Sequence, residues 1–92
     1  MTTGAATQIF STRFDKRFFS LSPDLQHHIE VKIDDMGRRL GTFPHTRMQG
    51  VEAFRLRVGD YRIIYRFDLA KNILHLIAVG HRRDVYENLS VN

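Results

Sequence analysis

The run from Phe54 to Phe67 (Phe-Arg-Leu-Arg-Val-Gly-Asp-Tyr-Arg-Ile-Ile-Tyr-Arg-Phe) constrains this chain more than any other stretch. Apolar residues alternate with arginines on both sides of Gly59-Asp60, which is the period of a half-buried strand interrupted by turn residues. With Gly59 and Asp60 as the two loop residues, the hairpin pairs Val58 with Tyr61 and Arg57 with Arg62. Arg55, Arg57, Arg62 and Arg66 then share one face, while Phe54, Leu56, Ile63 and Tyr65 share the other. Arginines directly across a ladder repel each other and cost stability. A sequence that keeps them points to an anionic ligand, to phosphate, and above all to RNA.

The rest of the chain supplies what must cover the apolar face. Residues 1–7 are small and polar and read as a flexible N-terminal tail; residues 8–92 read as a single domain. A short strand is expected around Ile9 and Phe10. Thr12 can cap a helix that has Asp15 in its first turn and buries Phe14, Phe18 and Leu21. Ser22-Pro23-Asp24 is a second start signal: Ser at the N-cap, Pro at the first helical position, and an acid near the positive helix end. Leu25, Ile29, Ile33, Met36 and Leu40 make one stripe; Gly41 is expected to end this helix and Pro44 to prevent its return. Thr42 to Gly50 reads as a loop. Ile73 to Val79 is almost continuously apolar, as in a strand covered on both faces, and Gly80 is expected to end it. His75 alternates with core residues and reads as a packed histidine. The fold class is α+β: an N-terminal strand and a two-helix hairpin packed on one face of a mainly antiparallel four-stranded sheet.

Composition narrows the chemistry. Ninety-two residues make one domain with a modest core. There is no cysteine, hence no disulfide framework and no thiolate chemistry, in keeping with a reducing cytoplasm. The five histidines show neither His-x3-His nor His-Glu-x-x-His spacing, so no metal site and no cofactor is expected. No signal peptide is visible, and no apolar run approaches the roughly 20 residues that span a bilayer, so neither a membrane segment nor a membrane partner is expected. The net charge is +4, and of the fourteen Lys and Arg all but Lys16, Lys32 and Lys71 are Arg. Arginine grips phosphate with a planar fork, and here it clusters between Arg47 and Arg66 with Arg82-Arg83 beyond.

Cleavage of RNA by its own 2′-hydroxyl needs a group to take the 2′ proton, positive charge on the phosphoryl oxygens, and an acid for the leaving 5′-oxygen. Arg55, Arg57, Arg62 and Arg82 suit the second task but, staying protonated, not the first. His81 carries the one kind of side chain that ordinarily titrates near neutrality. Tyr86 can stack on a base or donate its hydroxyl. Glu52, Asp60 and Asp84 are the nearby carboxylates, of which Asp60 in the turn and Asp84 beside Arg83 read as structural.

Two motifs together, Phe54-Arg-Leu-Arg-Val-Gly-Asp-Tyr-Arg-Ile-Ile-Tyr65 and Val79-Gly-His-Arg-Arg-Asp-Val-Tyr86, resemble the RelE branch of the RelE/ParE toxin superfamily. The early Phe14-x3-Phe18-x2-Leu21 helix and its Pro-initiated successor fit the same pattern, so the resemblance covers about residues 8 to 87. It implies a ribosome-dependent mRNA endonuclease that is the toxin of a toxin–antitoxin system, with a cognate antitoxin and mRNA on the ribosome as partners. It implies that Arg55 and Arg57 stand where the family has basic residues on a strand, that Arg62 and Arg82 match family arginines, and that Tyr86 matches the C-terminal tyrosine. Arg stands at 55 and 57 where the best-known member has lysine, and the segment from Arg82 to Tyr86 is one residue shorter. The alternatives are a ParE-like toxin that poisons DNA gyrase and a catalytically inactive basic module that binds RNA or antitoxin.

Overall fold

Seven elements, described over residues 4–86 of a computed structural model, follow the order expected from the sequence. They are β1 (Thr7–Phe10), α1 (Thr12–Phe18), α2 (Pro23–Arg38), β2 (Thr46–Arg47), β3 (Phe54–Val58), β4 (Tyr61–Asp68) and β5 (Ile73–His81). One sheet contains all five strands in the order β1-β5-β4-β3-β2. Its ladders are antiparallel except between β1 and β5, which run parallel. The sheet is therefore mixed and has one strand more than expected. The addition is β2, two residues inside the stretch read as a loop, too short to leave a periodic signal.

Residues 1–3 and 87–92, at the ends of the expected tail and domain, lie outside the described residues. Residues 4–6 are tied down: Ala6 is buried and donates its amide to the Gly37 carbonyl at 2.9 Å, and the Asn72 side chain donates to the Gly4 carbonyl at 3.0 Å.

Local chemistry sets the helix ends. Ser11, one residue ahead of the expected cap, accepts a bond from the Phe14 amide at 3.0 Å and starts α1. Ser22 accepts from the Leu25 amide at 3.3 Å with Pro23 at the first helical position, as read from the sequence. The end of α2 differs: it stops at Arg38 with Arg39 as its cap, before Gly41. The Arg39 guanidinium is held by Asp35 at 2.8 Å and lies over the Phe43 ring, so side-chain contacts close this terminus without a glycine. That ion pair holds the Asp35 carboxyl below its ordinary pKa.

Both helices pack on the sheet face that presents Leu56, Val58, Ile63, Tyr65, Leu74 and Leu76, against Phe14, Phe18, Ile29, Ile33, Met36 and Leu40. Each such side chain, fully buried, contributes about 1.5–3 kcal/mol. A bulge decides which residues of β5 join them. Ile64 pairs with Ala78 and Tyr65 with Leu76, so Ile77 has no partner in β4. The extra residue changes the parity of the strand, and Leu74, Leu76 and Val79 all face the helices although 76 and 79 differ in parity. His75, between Leu74 and Leu76 and ahead of the bulge, faces the other side of the sheet by ordinary alternation, and there it is exposed beside Arg66 and not packed as expected.

The loop histidine, His45, is the one that packs. It stacks on Phe67 with ring centroids 4.0 Å apart, and Phe43, Phe54 and Tyr65 surround it. Its Nε2 is 2.8 Å from the Leu40 carbonyl, which can only accept, so Nε2 carries a proton. In the neutral ring Nδ1 then accepts from the Tyr65 hydroxyl at 2.7 Å. Burial of Tyr65 pushes its phenol above the ordinary value.

Candidate functional site

The hairpin register places the arginines. Arg57 lies opposite Arg62 and Val58 opposite Tyr61, as the two-residue turn requires, with Gly59 at φ +59°. Arg55, Arg57 and Arg62 share the sheet face that the helices leave uncovered, and Arg66 follows on the same face. Arg66 lies roughly 13 Å along the strand from Arg62, at ~3.3 Å per residue, too far for both to hold one phosphate. Its guanidinium instead donates to the Glu52 carbonyl at 2.6 Å.

The C-terminal segment returns to this end of the sheet by a route other than the expected one. Gly80 does not end β5; it pairs with Arg62 inside the ladder, and the strand continues to His81. The turn begins after His81, with Val85 donating its amide back to the His81 carbonyl at 2.9 Å. Val85 then packs beside Gly80, where an added Cβ would lie 3.3 Å from the Cβ of Val85. A side chain at position 80 would crowd Val85 and push it outward. Ile64, Ala78, Ala53 and Val85 form a small second core under the turn. The Arg82 amide donates to the Asp60 carbonyl at 2.7 Å, and Arg82 Nε lies 4.0 Å from the Asp60 carboxylate. The hairpin tip and the C-terminal turn are thus latched together, mainly through the backbone, since an exposed ion pair at that distance contributes little.

The arginines are not equivalent. Arg55, Arg57 and Arg82 are exposed, whereas Arg62 is only 9% accessible. One Arg62 terminal nitrogen donates to the Gly59 and Tyr61 carbonyls, both at 2.9 Å. The guanidinium is folded onto its own turn, where two carbonyl dipoles hold its charge. Arg62 braces the hairpin tip while Arg57 and Arg82 present charge outward.

The other two sequence-derived site residues separate. Tyr86 is exposed at the end of the described residues, beyond Val85. His81 is opposite Tyr61 in the ladder, packs edge-on against its ring at 5.6 Å, and accepts from the Arg83 amide at 3.2 Å. Tyr61 belongs to the parity of Val58 and Ile63, so His81 lies on the helix side of the sheet and not among the arginines. The imidazole on the arginine face is instead that of His75. Among the described residues no three His, Asp or Glu side chains group as a metal site, and no helix is long and apolar enough to cross a membrane. The described surface can therefore bind phosphate through Arg57 and Arg82 with Arg55 alongside, but sets no matched acid and base beside them.

A helical hairpin on one face of a mixed five-stranded sheet is also the fold of the RelE toxins. The toxin of the Mycobacterium tuberculosis RelBE2 toxin–antitoxin complex superposes with a TM-score of 0.74 at 22% identity, over 90% of this chain and 98% of that one. The toxin of the Escherichia coli RelBE complex gives 0.72 at 18% identity over 84% and 96% of the two chains, and that of the Pyrococcus horikoshii RelE–RelB complex 0.71 at 17% over 88% and 99%. The family model described as the ParE toxin of the type II toxin–antitoxin system parDE matches residues 9–86, and the chain belongs to this family of the RelE/ParE superfamily. No curated protein sequence matches the chain.

Proposed function

We propose that the chain is a toxin that cleaves mRNA on the ribosome by attack of the RNA 2′-hydroxyl, and that a cognate antitoxin neutralises it. The observation that carries the reading is Arg55, Arg57 and Arg62 on the uncovered sheet face, with Arg82 held against the hairpin tip through Asp60. Arg57 and Arg82 would hold the scissile phosphate and stabilise the charge that develops on it, with Arg55 as a neighbouring phosphate contact. Arg62 would keep the hairpin tip in place and offer its remaining donors. Tyr86 would stack on a base. His81 would act through the backbone of the turn, its carbonyl accepting from the Asp84 and Val85 amides.

With no matched acid and base, rate has to come from geometry. Holding a 2′-hydroxyl in line with its phosphate is worth about 7–11 kcal/mol, and free RNA does not hold that alignment. Ribosome-bound mRNA does. The purified chain is therefore expected to bind free RNA weakly, with a steep salt dependence, and to cut it slowly. With programmed ribosomes it should cut quickly and leave a 2′,3′-cyclic phosphate. Replacing Arg57 or Arg82 by Ala should lower ribosome-dependent cleavage by about 10²–10³, the loss typical of one charge-stabilising donor. Rapid cutting of free RNA at physiological salt would contradict the geometric account and direct attention to His75 and Glu52.

A second reading, poisoning of DNA gyrase, is favoured by the description of the matching family model and by the absence of a paired acid and base on the described arginine face. A gyrase cleavage assay beside primer extension on mRNA separates the two. Gyrase–DNA adducts with intact mRNA would replace the first reading by the second. Binding without either effect would leave a basic module.

A further inference from the structure

The uncovered sheet face has a second end, away from the hairpin tip. Phe10 lies against Phe14 on the helix side, so alternation turns Ile9 to the uncovered side. There Ile9 stands opposite His75 in the parallel ladder and is 45% exposed. His75 in turn stands opposite Arg66 on β4. Ile77, the bulged residue, lies on the same face and packs at the margin of the small second core. Ile64, a member of that core, stands between Arg62 and Arg66 on β4, so the core divides the two ends of the face.

Ile9, His75, Ile77 and Arg66 line a shallow hollow of about 320 Å³. The His75 side chain is exposed, and among the described residues no hydrogen bond, ion pair or ring contact engages it. Arg66 is exposed as well. Its Nε donates to the Glu52 carbonyl at 2.6 Å, which anchors the guanidinium and leaves its two terminal nitrogens without a partner among the described residues. The hollow thus offers a flat imidazole, a planar cation and two aliphatic side chains. A simple anion gains nothing from the isoleucines, and a purely apolar group would strip water from Arg66 without replacing its hydrogen bonds. A flat heterocycle that carries an anion uses all four. Unstacked RNA bases are of this kind, and they stack on His rings and Arg planes.

We propose that Ile9, His75, Ile77 and Arg66 form a nucleotide subsite, which seats one base of an RNA strand against the His75 ring and the isoleucines and holds its phosphate on the terminal nitrogens of Arg66. Arg66 lies roughly 13 Å along the strand from Arg62, so the seated nucleotide is not the one that is cut but one farther along the RNA. Seating it draws the RNA across the second core and keeps the scissile phosphate from sliding off Arg57 and Arg82. His75 is then a positioning residue and moves no proton. The subsite rests on the toxin reading for the strand being an mRNA under cleavage, but not for its affinity for a nucleotide.

The test titrates the full chain with each of the four ribonucleoside monophosphates, with inorganic phosphate and with a single-stranded RNA tetranucleotide, while NMR follows the imidazole C–H signals. The monophosphates and the tetranucleotide should move the His75 signals upfield, as a stacked base does, and inorganic phosphate should not. His75→Ala should weaken tetranucleotide binding by about fivefold or more, the low end of the loss of one stacked base. His75→Phe, which keeps a ring but cannot carry a proton, should restore it; circular dichroism checks that both variants fold. On programmed ribosomes His75→Ala should raise KM and hold kcat, with His75→Phe near wild type in both. The inference is overturned if phosphate alone reproduces the shifts, or if no nucleotide produces them. It is overturned too if kcat falls in both variants, since His75 would then be moving a proton. If the His75 signals move only with the cognate antitoxin, the occupant is protein and the subsite fails. A chain that binds the nucleotides as expected but neither cuts mRNA nor arrests growth keeps the subsite and loses the toxin reading.

Discussion

Removing the Ser11 hydroxyl should cost more than an N-cap usually does, because that oxygen makes two bonds at the junction of the helix layer and the sheet. It accepts from the Phe14 amide at 3.0 Å and donates to the Ile77 carbonyl at 2.6 Å. Ile77 is the bulged residue of β5, without a partner in β4. Losing the cap costs about 1 kcal/mol. Leaving the half-buried carbonyl unpaired costs about 1–2 kcal/mol more. Ser11→Ala should therefore destabilise the domain by about 2–3 kcal/mol, a large part of the roughly 5–15 kcal/mol of a small protein, and lower its Tm on the order of 10–20 °C. Urea unfolding followed by circular dichroism gives the number, with two further variants to divide it. Ser11→Thr keeps both bonds and should stay near wild type. Ser11→Asp keeps the acceptor for Phe14 but turns a carboxylate toward the Ile77 carbonyl, so it should be no more stable than Ser11→Ala. If Ser11→Ala falls within about 0.5 kcal/mol of wild type, as an inconsequential surface change does, the reasoning about the bulge is wrong. A fully stable Ser11→Asp would show that the hydroxyl matters only as a cap.

Arg62→Ala should destabilise the domain by about 2 kcal/mol, since it removes charge-assisted bonds to two turn carbonyls, whereas Arg57→Ala should stay within about 0.5 kcal/mol; chemical unfolding of both tests the division of labour. Tyr65→Phe should cost about 1–2 kcal/mol by leaving His45 Nδ1 unpaired. Because the folded state holds the Tyr65 phenol above its ordinary value, the unfolded chain releases that proton first, and wild-type stability should fall as pH rises past 10.0. The fall should be shallower in Tyr65→Phe, and unfolding midpoints from pH 8 to 11 would reveal equal slopes if the inference is mistaken. Gly80→Val should lose about 1–3 kcal/mol by overpacking against Val85. It should also lower ribosome-dependent cleavage more than Arg55→Ala does, because it displaces the whole turn bearing Arg82; unchanged cleavage would mean the turn does not position Arg82.

What the sequence determined by itself is what short-range chemistry controls. The Gly59-Asp60 turn sets the register of β3 on β4, so the common face of Arg55, Arg57 and Arg62 was legible from period two alone. Ser22-Pro23 and the apolar stripe set the start and buried side of α2 in the same way. Tertiary structure decided the rest. The bulge at Ile77 is invisible in a continuous apolar run, yet it reverses parity beyond it, so that Val79 and not Ala78 joins Leu74 and Leu76 on the helix side. His81 is two residues past Val79, and its side depends on strand β5 continuing through Gly80, which sequence reasoning took for a stop. Gly80 packs against Val85, a contact made only after the C-terminal turn has folded back. The fold of Arg62 onto its own turn likewise depends on carbonyls that the turn leaves free. A side chain's face follows from local periodicity, but whether that face is open, and which groups meet on it, follows from chain segments far apart in sequence, and their packing energy is not written in any one of them.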